Sequence, residues 1–258
     1  MAERTVSLVT GASQGIGRSI AIRLARDGGA VVLAARNRQK LEQVADEIRR
    51  TGGEATVVPT DVTSPEDVAA AVAVALDTHG RLDAAVANSG IGGPSGLLWE
   101  LDPSDWRRTF EVNLHGVFLT ARAAIPPMID QGHGSVVVIG SITGKRPLYG
   151  RSPYGTSKAA LVGLVRTLAL EAGPHGIRVN LLSPGFVAGP RLDWVIAAQA
   201  DSRGLGADQV RAEFEGESPL RRLTQPGDVA DAVAHLISPE AEAITGADIN
   251  VNSGVVMY

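Results

Sequence analysis

A tyrosine and a lysine, Tyr154 and Lys158, are separated by one helical turn in the stretch Tyr-Gly-Thr-Ser-Lys. On a helix this spacing places both side chains on the same face. A tyrosine with the ordinary pKa of about 10 exchanges protons poorly at neutral pH, and a nearby ammonium favours the phenolate. The pair therefore predicts general acid–base chemistry by a phenol whose acidity a lysine increases. The alternative is that Tyr154 packs and Lys158 is solvated.

Two further polar residues interrupt apolar stretches. Ser141 closes the apolar run that begins at Val136, and it precedes Tyr154 by thirteen residues. A serine at the carboxyl end of a strand lies where doubly wound sheets bind ligands, so its hydroxyl can hold a substrate oxygen beside the phenol. Most strand-end serines only cap or turn the chain. Asn113 lies in an apolar helical stretch, where on its own it indicates a helix bend or a hydrogen bond rather than catalysis.

A glycine-rich turn follows the first apolar run and leads into a helix. Its glycines, Gly11, Gly15 and Gly17, permit a tight turn and leave the first amides of the helix facing an anion such as a pyrophosphate. The spacing is Gly-x-x-x-Gly-x-Gly, and as a single motif it is a weak signal, because glycine-rich turns are frequent in α/β proteins. The residues predicted to approach a dinucleotide here are Gly11, Ser13, Gln14, Gly15, Ile16 and Gly17.

Two other motifs overlap the same turn. Gly11 to Gly15 also fits the Gly-x-Ser-x-Gly nucleophile elbow of a hydrolase, with Ser13 as the nucleophile. A hydrolase needs an earlier strand–helix connection for its oxyanion hole, and only ten residues precede Gly11. The phosphate-binding P-loop does not fit either, because Gly17-Arg18-Ser19 lacks the lysine.

The residues after the second apolar run bear on coenzyme choice. Sites specific for NAD usually carry an acid about 20 residues past the glycine turn to bind the ribose 2′-hydroxyl. Here the chain reads Arg36-Asn37-Arg38, and the first acid is Glu42. An arginine offers a planar fork for a 2′-phosphate, so Arg36 and Arg38 predict NADP(H) in preference to NAD(H). The alternative is that both arginines only solvate the start of a helix.

Short β-branched runs alternate with longer helical stretches along the chain. This order predicts a doubly wound parallel sheet of about seven strands, with helices on both faces, in a single domain spanning 1–258. The predicted strands are Val6–Thr10, Ala30–Ala35, Ala55–Thr60, Ala84–Asn88, Ser135–Ser141, Ile177–Leu182 and Ile249–Val251. The predicted helices are Ile16–Gly28, Arg38–Thr51, Pro65–His79 and Pro153–Gly173. The segment 186–217 breaks the rhythm, and we expect it to be a lid over the substrate.

Composition limits the function classes. Of 258 residues 44% are hydrophobic and 20% are charged, and the net charge is −4, which gives no basic field for nucleic acid or an anionic membrane. The chain has no cysteine, which excludes disulfides and thiolate metal sites, and we expect no metal. Because the segment from Met1 to Val6 does not open a signal peptide and no apolar run is long enough to span a membrane, we expect a cytoplasmic protein.

In order along the chain, these motifs resemble the short-chain dehydrogenase/reductase family, within it the branch of β-ketoacyl-carrier-protein reductases. The resemblance covers nearly the whole sequence, and its remaining motifs are Asp61-Val62, Asn88-Ser89-Gly90, Pro184-Gly185 and Ile244-Thr245-Gly246. It implies Tyr154 as the proton donor or acceptor, Lys158 as the group that increases its acidity and holds the nicotinamide ribose, and Ser141 as the residue that orients the carbonyl. It also implies that Asn113 supports a water relay through the lysine. Coenzyme contacts are implied at Asp61, Val62, Asn88, Gly90, Pro184, Gly185 and Val187, besides Tyr154 and Lys158.

Three positions depart from the family pattern: Ala87, where an asparagine is usual, Gly189, where a threonine often touches the coenzyme, and Asn252, where an aspartate is usual. None of them removes a catalytic group. The substrate is expected to be a small carbonyl or alcohol, and Trp194 is a candidate wall of its site or a residue that only packs the lid.

Assembly and the rival function also follow from these patterns. The apolar helix Ala159–Val165 and the resemblance predict a homotetramer, or a homodimer. The rival function is a non-catalytic NADP-binding sensor or scaffold of the same fold.

Overall fold

A computed structural model of the protein describes residues 4–258. Residues 1–3, which belong to the predicted domain and to the segment expected not to be a signal peptide, lie outside the described residues. The described chain contains one parallel sheet of seven strands in the order β3-β2-β1-β4-β5-β6-β7. The strands are β1 (Val6–Thr10), β2 (Ala30–Ala35), β3 (Glu54–Pro59), β4 (Ala84–Ala87), β5 (Gly134–Ile139), β6 (Ile177–Pro184) and β7 (Asp248–Val251).

Nine helices connect or flank these strands in the part of the chain that the structure describes. They are α1 (Gly15–Arg26), α2 (Arg38–Arg50), α3 (Pro65–His79), α4 (Pro103–Phe110), α5 (Gly116–Gln131), α6 (Ser152–Ala172), α7 (Pro190–Arg203), α8 (Ala207–Glu217) and α9 (Pro226–Ile237). The start of α3 shows how the sequence sets a boundary. The Ser64 side chain accepts a hydrogen bond from the Asp67 amide, and Pro65 occupies the first helical position, where a missing N–H costs nothing.

The sheet is covered on both faces, which explains why its central strands are largely apolar. All five residues of β1 and all six of β2 are buried. Alternate strand residues enter two hydrophobic clusters. One is packed against α3, α5 and α6 and contains Leu8 and Val136; the other is packed against α1, α2 and α9 and contains Val9 and Val137. The predicted doubly wound parallel sheet is therefore confirmed.

The order of the strands reverses between β1 and β4. The chain builds outward from β1 through β2 to β3, then crosses to β4 on the other side of β1 and continues to β7. At such a switch point the connections after the two central strands leave in opposite directions and open a crevice at the carboxyl ends of the strands. The fold thus brings the turn after β1 and the turn after β4 to one place.

The segment predicted to be a lid, 186–217, contains helices α7 and α8. These helices pack on each other through a third hydrophobic cluster, distinct from those on the two faces of the sheet. Its buried members are Leu192, Ile196, Ala200, Val210, Phe214 and Leu223. The rings of Phe186 and Phe214 stack with centroids 4.3 Å apart. In residues 4–258 no helix combines the length and apolarity needed to cross a bilayer.

Candidate active site

A cleft of about 800 Å³ lies at the carboxyl ends of the strands and collects most of the predicted site residues. The predicted residues that line it are Gly11, Ser13, Gln14, Gly15, Ile16, Gly17, Arg36, Asp61, Val62, Asn88, Gly90, Ser141, Tyr154, Lys158, Pro184, Gly185 and Val187. They come from the ends of six strands and from α6. Two predicted residues, Arg38 and Asn113, do not line the cleft.

The glycine turn has the geometry that backbone binding of a phosphate requires. Gly11 and Gly15 have φ of +67° and +56°, values that favour glycine. A Cβ on Gly17 would lie 2.3 Å from the Gly11 carbonyl oxygen, so the turn closes only with glycine there, whereas Gly15 faces open space. The helix that follows, α1, has no acidic residue in its first turn. Its amino end therefore suits an anion.

Side chains from the neighbouring strand end hold the turn in place. The Asn88 side-chain amide donates to the carbonyl oxygens of Thr10, at 2.9 Å, and Gly11, at 3.3 Å. The Thr10 hydroxyl oxygen accepts from the amides of Asn88, at 3.0 Å, and Ser89, at 3.1 Å. Asn88, predicted as a ribose contact, thus also fixes the glycine turn. These bonds hold the turn in place although Ala87 stands where the family usually has an asparagine.

Lys158 is buried at the centre of the cleft. Its residue is 4% exposed, and its Nζ donates to the Ile139 carbonyl oxygen at 2.8 Å. Burial, with a smaller contribution from Arg191, lowers the pKa of Lys158 from 10.5 to about 7. Because desolvation disfavours the ammonium, an anion bound beside Nζ would restore the charged form.

Tyr154 and Ser141 face the same cleft from different elements. Tyr154 lies in the first turn of α6 and is partly exposed, as a residue that meets substrate must be. The Ser141 hydroxyl oxygen accepts from the Thr143 amide at 3.2 Å. That bond uses the oxygen as an acceptor and leaves the hydroxyl proton for another oxygen.

Asn113 lies behind the cleft and clamps the loop after β4. Its Oδ1 accepts from the Ile91 amide at 2.8 Å, and its Nδ2 donates to the Ile91 carbonyl at 3.0 Å and to the Ser157 hydroxyl at 3.1 Å. The residue is fully buried, in a π-helical turn over Glu111–His115 that joins α4 to α5. Such turns are frequent at functional sites. The residue forms hydrogen bonds, which is one of the two roles that its polarity in an apolar stretch indicates.

The other end of the cleft carries Arg36 and Lys40. Both line it, and the Lys40 Nζ donates to the Gln14 side chain at 3.1 Å. Arg38 instead points to the exposed side of α2, where it lies 3.6 Å from the Glu42 carboxylate. Lys40, which lies near the start of the same helix, was not predicted from the sequence.

Asp61 is the single carboxylate among the described residues that line the cleft, which six cations also line. A hydrogen bond from the Thr63 amide, with help from the Thr63 hydroxyl and from Arg36, holds the pKa of Asp61 below its usual value. The six cations are Arg36, Lys40, Arg108, Arg151, Lys158 and Arg191. Arg108, Arg151 and Arg191 carried no motif and were not predicted. A chain of net charge −4 thus concentrates positive charge where an anion would bind.

The hydrolase interpretation finds no histidine among the described residues of the cleft that could activate Ser13. Ser13 lines it, but no histidine does within residues 4–258. A serine nucleophile needs such a base to become reactive. In the same residues no three metal-ligating side chains come together.

Comparison with known proteins identifies the family. A profile described as enoyl-(acyl carrier protein) reductase matches residues 11–256. The short-chain reductase protein NovJ of Streptomyces niveus is 36% identical over 254 residues, which are 98% of this chain and 95% of NovJ. This chain belongs to the short-chain dehydrogenase/reductase family. The predicted resemblance, including the likeness to 3-oxoacyl-carrier-protein reductases, is confirmed: one from Staphylococcus aureus is 34% identical over 252 residues, covering 97% of this chain and 98% of the reductase.

Solved structures of the family superpose over the whole sheet. A variant of the actinorhodin polyketide ketoreductase with NADPH gives a TM-score of 0.95 at 35% identity, covering 100% of this chain and 99% of that one. An NAD⁺-bound xylitol dehydrogenase gives 0.94 at 30% identity, covering 98% and 100%. Family membership therefore makes this chain an oxidoreductase of the short-chain type, whose structural neighbours bind either nicotinamide coenzyme.

Proposed function

We propose that the protein is an NADP(H)-dependent oxidoreductase that interconverts a ketone and a secondary alcohol. The observation that carries the proposal is the convergence of Tyr154, Lys158 and Ser141 on the cleft that the glycine turn also lines. In the reducing direction a ketone, a hydride and a proton give the alcohol. The bound nicotinamide supplies the hydride to the carbonyl carbon, and the protein supplies the proton.

Each residue has a separate task at the carbonyl oxygen. The Tyr154 phenol donates its proton to the oxygen as negative charge develops there. The Ser141 hydroxyl, whose proton is free to be donated, orients the same oxygen. The Lys158 ammonium, held by the Ile139 carbonyl, stabilises the phenolate that remains and binds the nicotinamide ribose. Asn113 positions the loop at Gly90 and supports a water relay to the lysine.

The residues present fit a phosphorylated dinucleotide. The glycine turn presents backbone amides and a helix amino end to the pyrophosphate, and Arg36 with Lys40 offers two cations for the 2′-phosphate. Asp61 and Val62 would border the adenine. Pro184, Gly185 and Val187 line the cleft and would border the nicotinamide. The segment 186–217 would enclose the substrate as a lid, with Leu192 in its wall.

The catalytic proposal is tested by removing the hydroxyl group of Tyr154. We expect Tyr154→Phe to lower kcat for ketone reduction by about 10² to 10⁴-fold, the usual contribution of a general acid, while NADPH binding stays within about threefold of wild type. Turnover is followed at the nicotinamide absorbance with a panel of ketones, and binding by quenching of protein fluorescence. A Tyr154→Phe variant with undiminished kcat would refute the role of the phenol.

The coenzyme proposal is tested by comparing the two nicotinamides. We expect NADPH to bind more tightly than NADH, and Arg36→Ala to weaken NADPH by about tenfold or more, since a charged hydrogen bond is lost, with a smaller effect on NADH. Arg38→Ala is the matched control, because that side chain lies outside the cleft. Tighter binding of NADH by the wild type would overturn the proposal.

The rival function, a sensor of NADP(H) without chemistry, differs in its response to the same substitution. A sensor would bind NADPH and turn over no ketone or alcohol, so its output would be indifferent to Tyr154→Phe. The presence of Tyr154 and Ser141 beside Lys158 favours the enzyme, because coenzyme binding alone needs neither a proton donor nor a group that orients a carbonyl oxygen.

Assembly is proposed from the surface of α5 and α6. Within Ala159–Val165 the exposed positions Ala159 and Gly163 are small, so another helix can approach closely. Nearby, Phe118 is 42% exposed and Leu170 is 80% exposed. A second copy of this face would cover them, which supports a homodimer or a homotetramer built from two such pairs. We place the enzyme in the cytoplasm, as its composition indicates.

A further inference from the structure

Arg151 is a guanidinium buried at the reacting end of the cleft. The residue is 4% exposed and lines the cleft. It directly precedes α6, three positions before Tyr154. Its Cζ lies 5.4 Å from the centroid of the Tyr154 ring and 5.1 Å from the Trp194 ring on α7. The guanidinium is therefore held between the proposed acid–base residue and the lid.

One of the two terminal nitrogens of Arg151 has no hydrogen-bond partner among the described residues. Nη2 donates to the Gly92 carbonyl oxygen at 2.7 Å. Nη1 is buried and has no hydrogen-bond partner among residues 4–258. Within the same residues no carboxylate forms an ion pair with Arg151. Burial lowers the pKa of its guanidinium, and the neighbouring cation Arg191 lowers it further. A buried cation without a counter-charge is costly, and a second cation nearby adds to the cost.

A purely structural role does not account for this arrangement. Bonding the Gly92 carbonyl requires one donor, which a neutral side chain can supply without the cost of a buried charge. The carboxylate that lines the cleft, Asp61, is bound to Thr63 and belongs to the end that carries Arg36. A planar guanidinium with a free edge is well suited to a carboxylate.

We propose that Arg151 binds a carboxylate of the substrate, so that the enzyme acts on keto acids and hydroxy acids. The proposal rests on the proposed function and specifies its substrate class. Arg191 lies in the segment 186–217 and donates to the Gly90 carbonyl oxygen at 2.6 Å. It adds positive charge on the same side of the cleft as Arg151. Trp194 covers the guanidinium, so the carboxylate reaches Nη1 when α7 shifts and the indole moves aside.

The experiment compares acids with isosteric neutral amides. The probes are 3-oxobutanoate, 4-oxopentanoate, 5-oxohexanoate and 4-oxocyclohexanecarboxylate, each beside its primary amide, with NADPH as the reductant. We expect the wild type to show a kcat/KM for at least one acid that is about tenfold or more above that of its amide. The preference should arise mainly in KM, because the carboxylate is bound in both the ground state and the transition state.

Two variants assign the preference to Arg151. Arg151→Gln removes the charge and keeps a donor for Gly92, so the acid-to-amide ratio should fall to about one. Arg151→Lys keeps the charge and should retain part of the ratio even if the glutamine variant folds poorly. Arg26→Gln, at an exposed arginine on α1, is the matched control and should leave the ratio unchanged. A structural role would instead lower acid and amide turnover together.

A binding measurement separates this proposal from the proposed function. Because Trp194 stacks on the guanidinium, 4-oxopentanoate should change tryptophan fluorescence at concentrations at which 4-oxopentanamide does not, and Trp194→Phe should remove that change. Binding of the acid without turnover would sink the proposed function and keep the carboxylate site. Equal binding and equal turnover of acid and amide across the series, or a loss in Arg151→Gln confined to NADPH affinity, would overturn the proposal.

Discussion

At the scale of single residues, the sequence identified residues of the cleft most readily where their own type and spacing are informative. Tyr154, Lys158 and Ser141 were found because a phenol, an amine and a hydroxyl are informative at those spacings, and the structure brings all three to the cleft. Arg151 and Arg191 were missed because an arginine in a loop or at a helix start is usually solvated. Their importance depends on burial and on neighbours from other elements, which no local pattern encodes.

The buried amine of Lys158 makes stability depend on pH in a defined direction. Its pKa in the folded protein is lowered from 10.5 to about 7, so between these values the unfolded chain binds a proton that the folded chain does not. Folding stability from this group therefore rises with pH across that window, and the cost of burying the charge is present in full below it.

We accordingly expect Lys158→Met to be more stable than wild type at pH 6 in the absence of coenzyme. The advantage should shrink between pH 7 and about pH 10, where the lost bond to the Ile139 carbonyl becomes the larger effect. Urea unfolding at pH 6, 8 and 10 measures the difference. Lys40→Met, at an exposed lysine, is the matched control. A difference between Lys158→Met and wild type that stays the same at all three pH values would contradict the buried charge.

At the scale of elements, all seven strands were predicted, with ends that differ by a few residues. β1 and β2 match at both ends, whereas β6 runs on to Pro184 and β4 stops at Ala87. Strand ends depend on pairing with neighbours, and β6 is extended by its bonds to β7. The helices α4, α5, α7, α8 and α9 were not among the predicted ones. Pro126 and Pro127 lie inside α5, and burial of the inner face of this helix stabilises it as far as Gln131.

The segment 186–217 was predicted to be a lid, but its helices were not predicted. Its helices α7 and α8 have mixed polarity, and they bury their apolar residues on each other and on Leu223 rather than in the clusters on the sheet. The alternation of strands and helices predicts the core that covers the sheet, and it does not reveal a small separate hydrophobic cluster.

Because the lid has its own small core, we expect damage to it to remain local. Phe214→Ala removes the ring that stacks on Phe186 and should speed proteolysis and amide exchange within 186–217, with a small change in Tm. Leu182→Ala, in the core of the sheet, should destabilise the whole protein by about 2–5 kcal/mol. Mass spectrometry of limited digests and thermal unfolding distinguish the two, and a lid that loosens only on global unfolding would show that it is not an independent unit.

At the scale of the whole molecule, class and topology followed from the alternation of strands and helices, and family membership from motifs spread over the chain. Assembly did not follow in the same way. The predicted run Ala159–Val165 buries Leu161 and Val165 inside the subunit, so its apolar character is partly accounted for by the core. The larger exposed groups, Phe118 and Leu170, became visible only when α5 and α6 were placed side by side.

We expect Phe118→Glu combined with Leu170→Glu to lower the molar mass in solution to that of a smaller assembly, because buried like charges would face each other across the interface. Light scattering after size-exclusion chromatography measures this. Trp99→Glu, at an aromatic residue 80% exposed elsewhere on the surface, should leave the mass unchanged. A monomeric wild type would contradict the proposed assembly.

The contrast between an acidic chain and a cation-lined cleft also governs how fast ligands arrive. The positive potential of the cleft attracts anions over a distance, and the negative charge on the rest of the surface repels them from other sites. Such attraction is damped beyond about 8 Å at physiological ionic strength. Added salt should therefore lower the association rate constant of an anionic coenzyme more than it raises the dissociation rate constant. The coenzyme should bind fastest at low ionic strength.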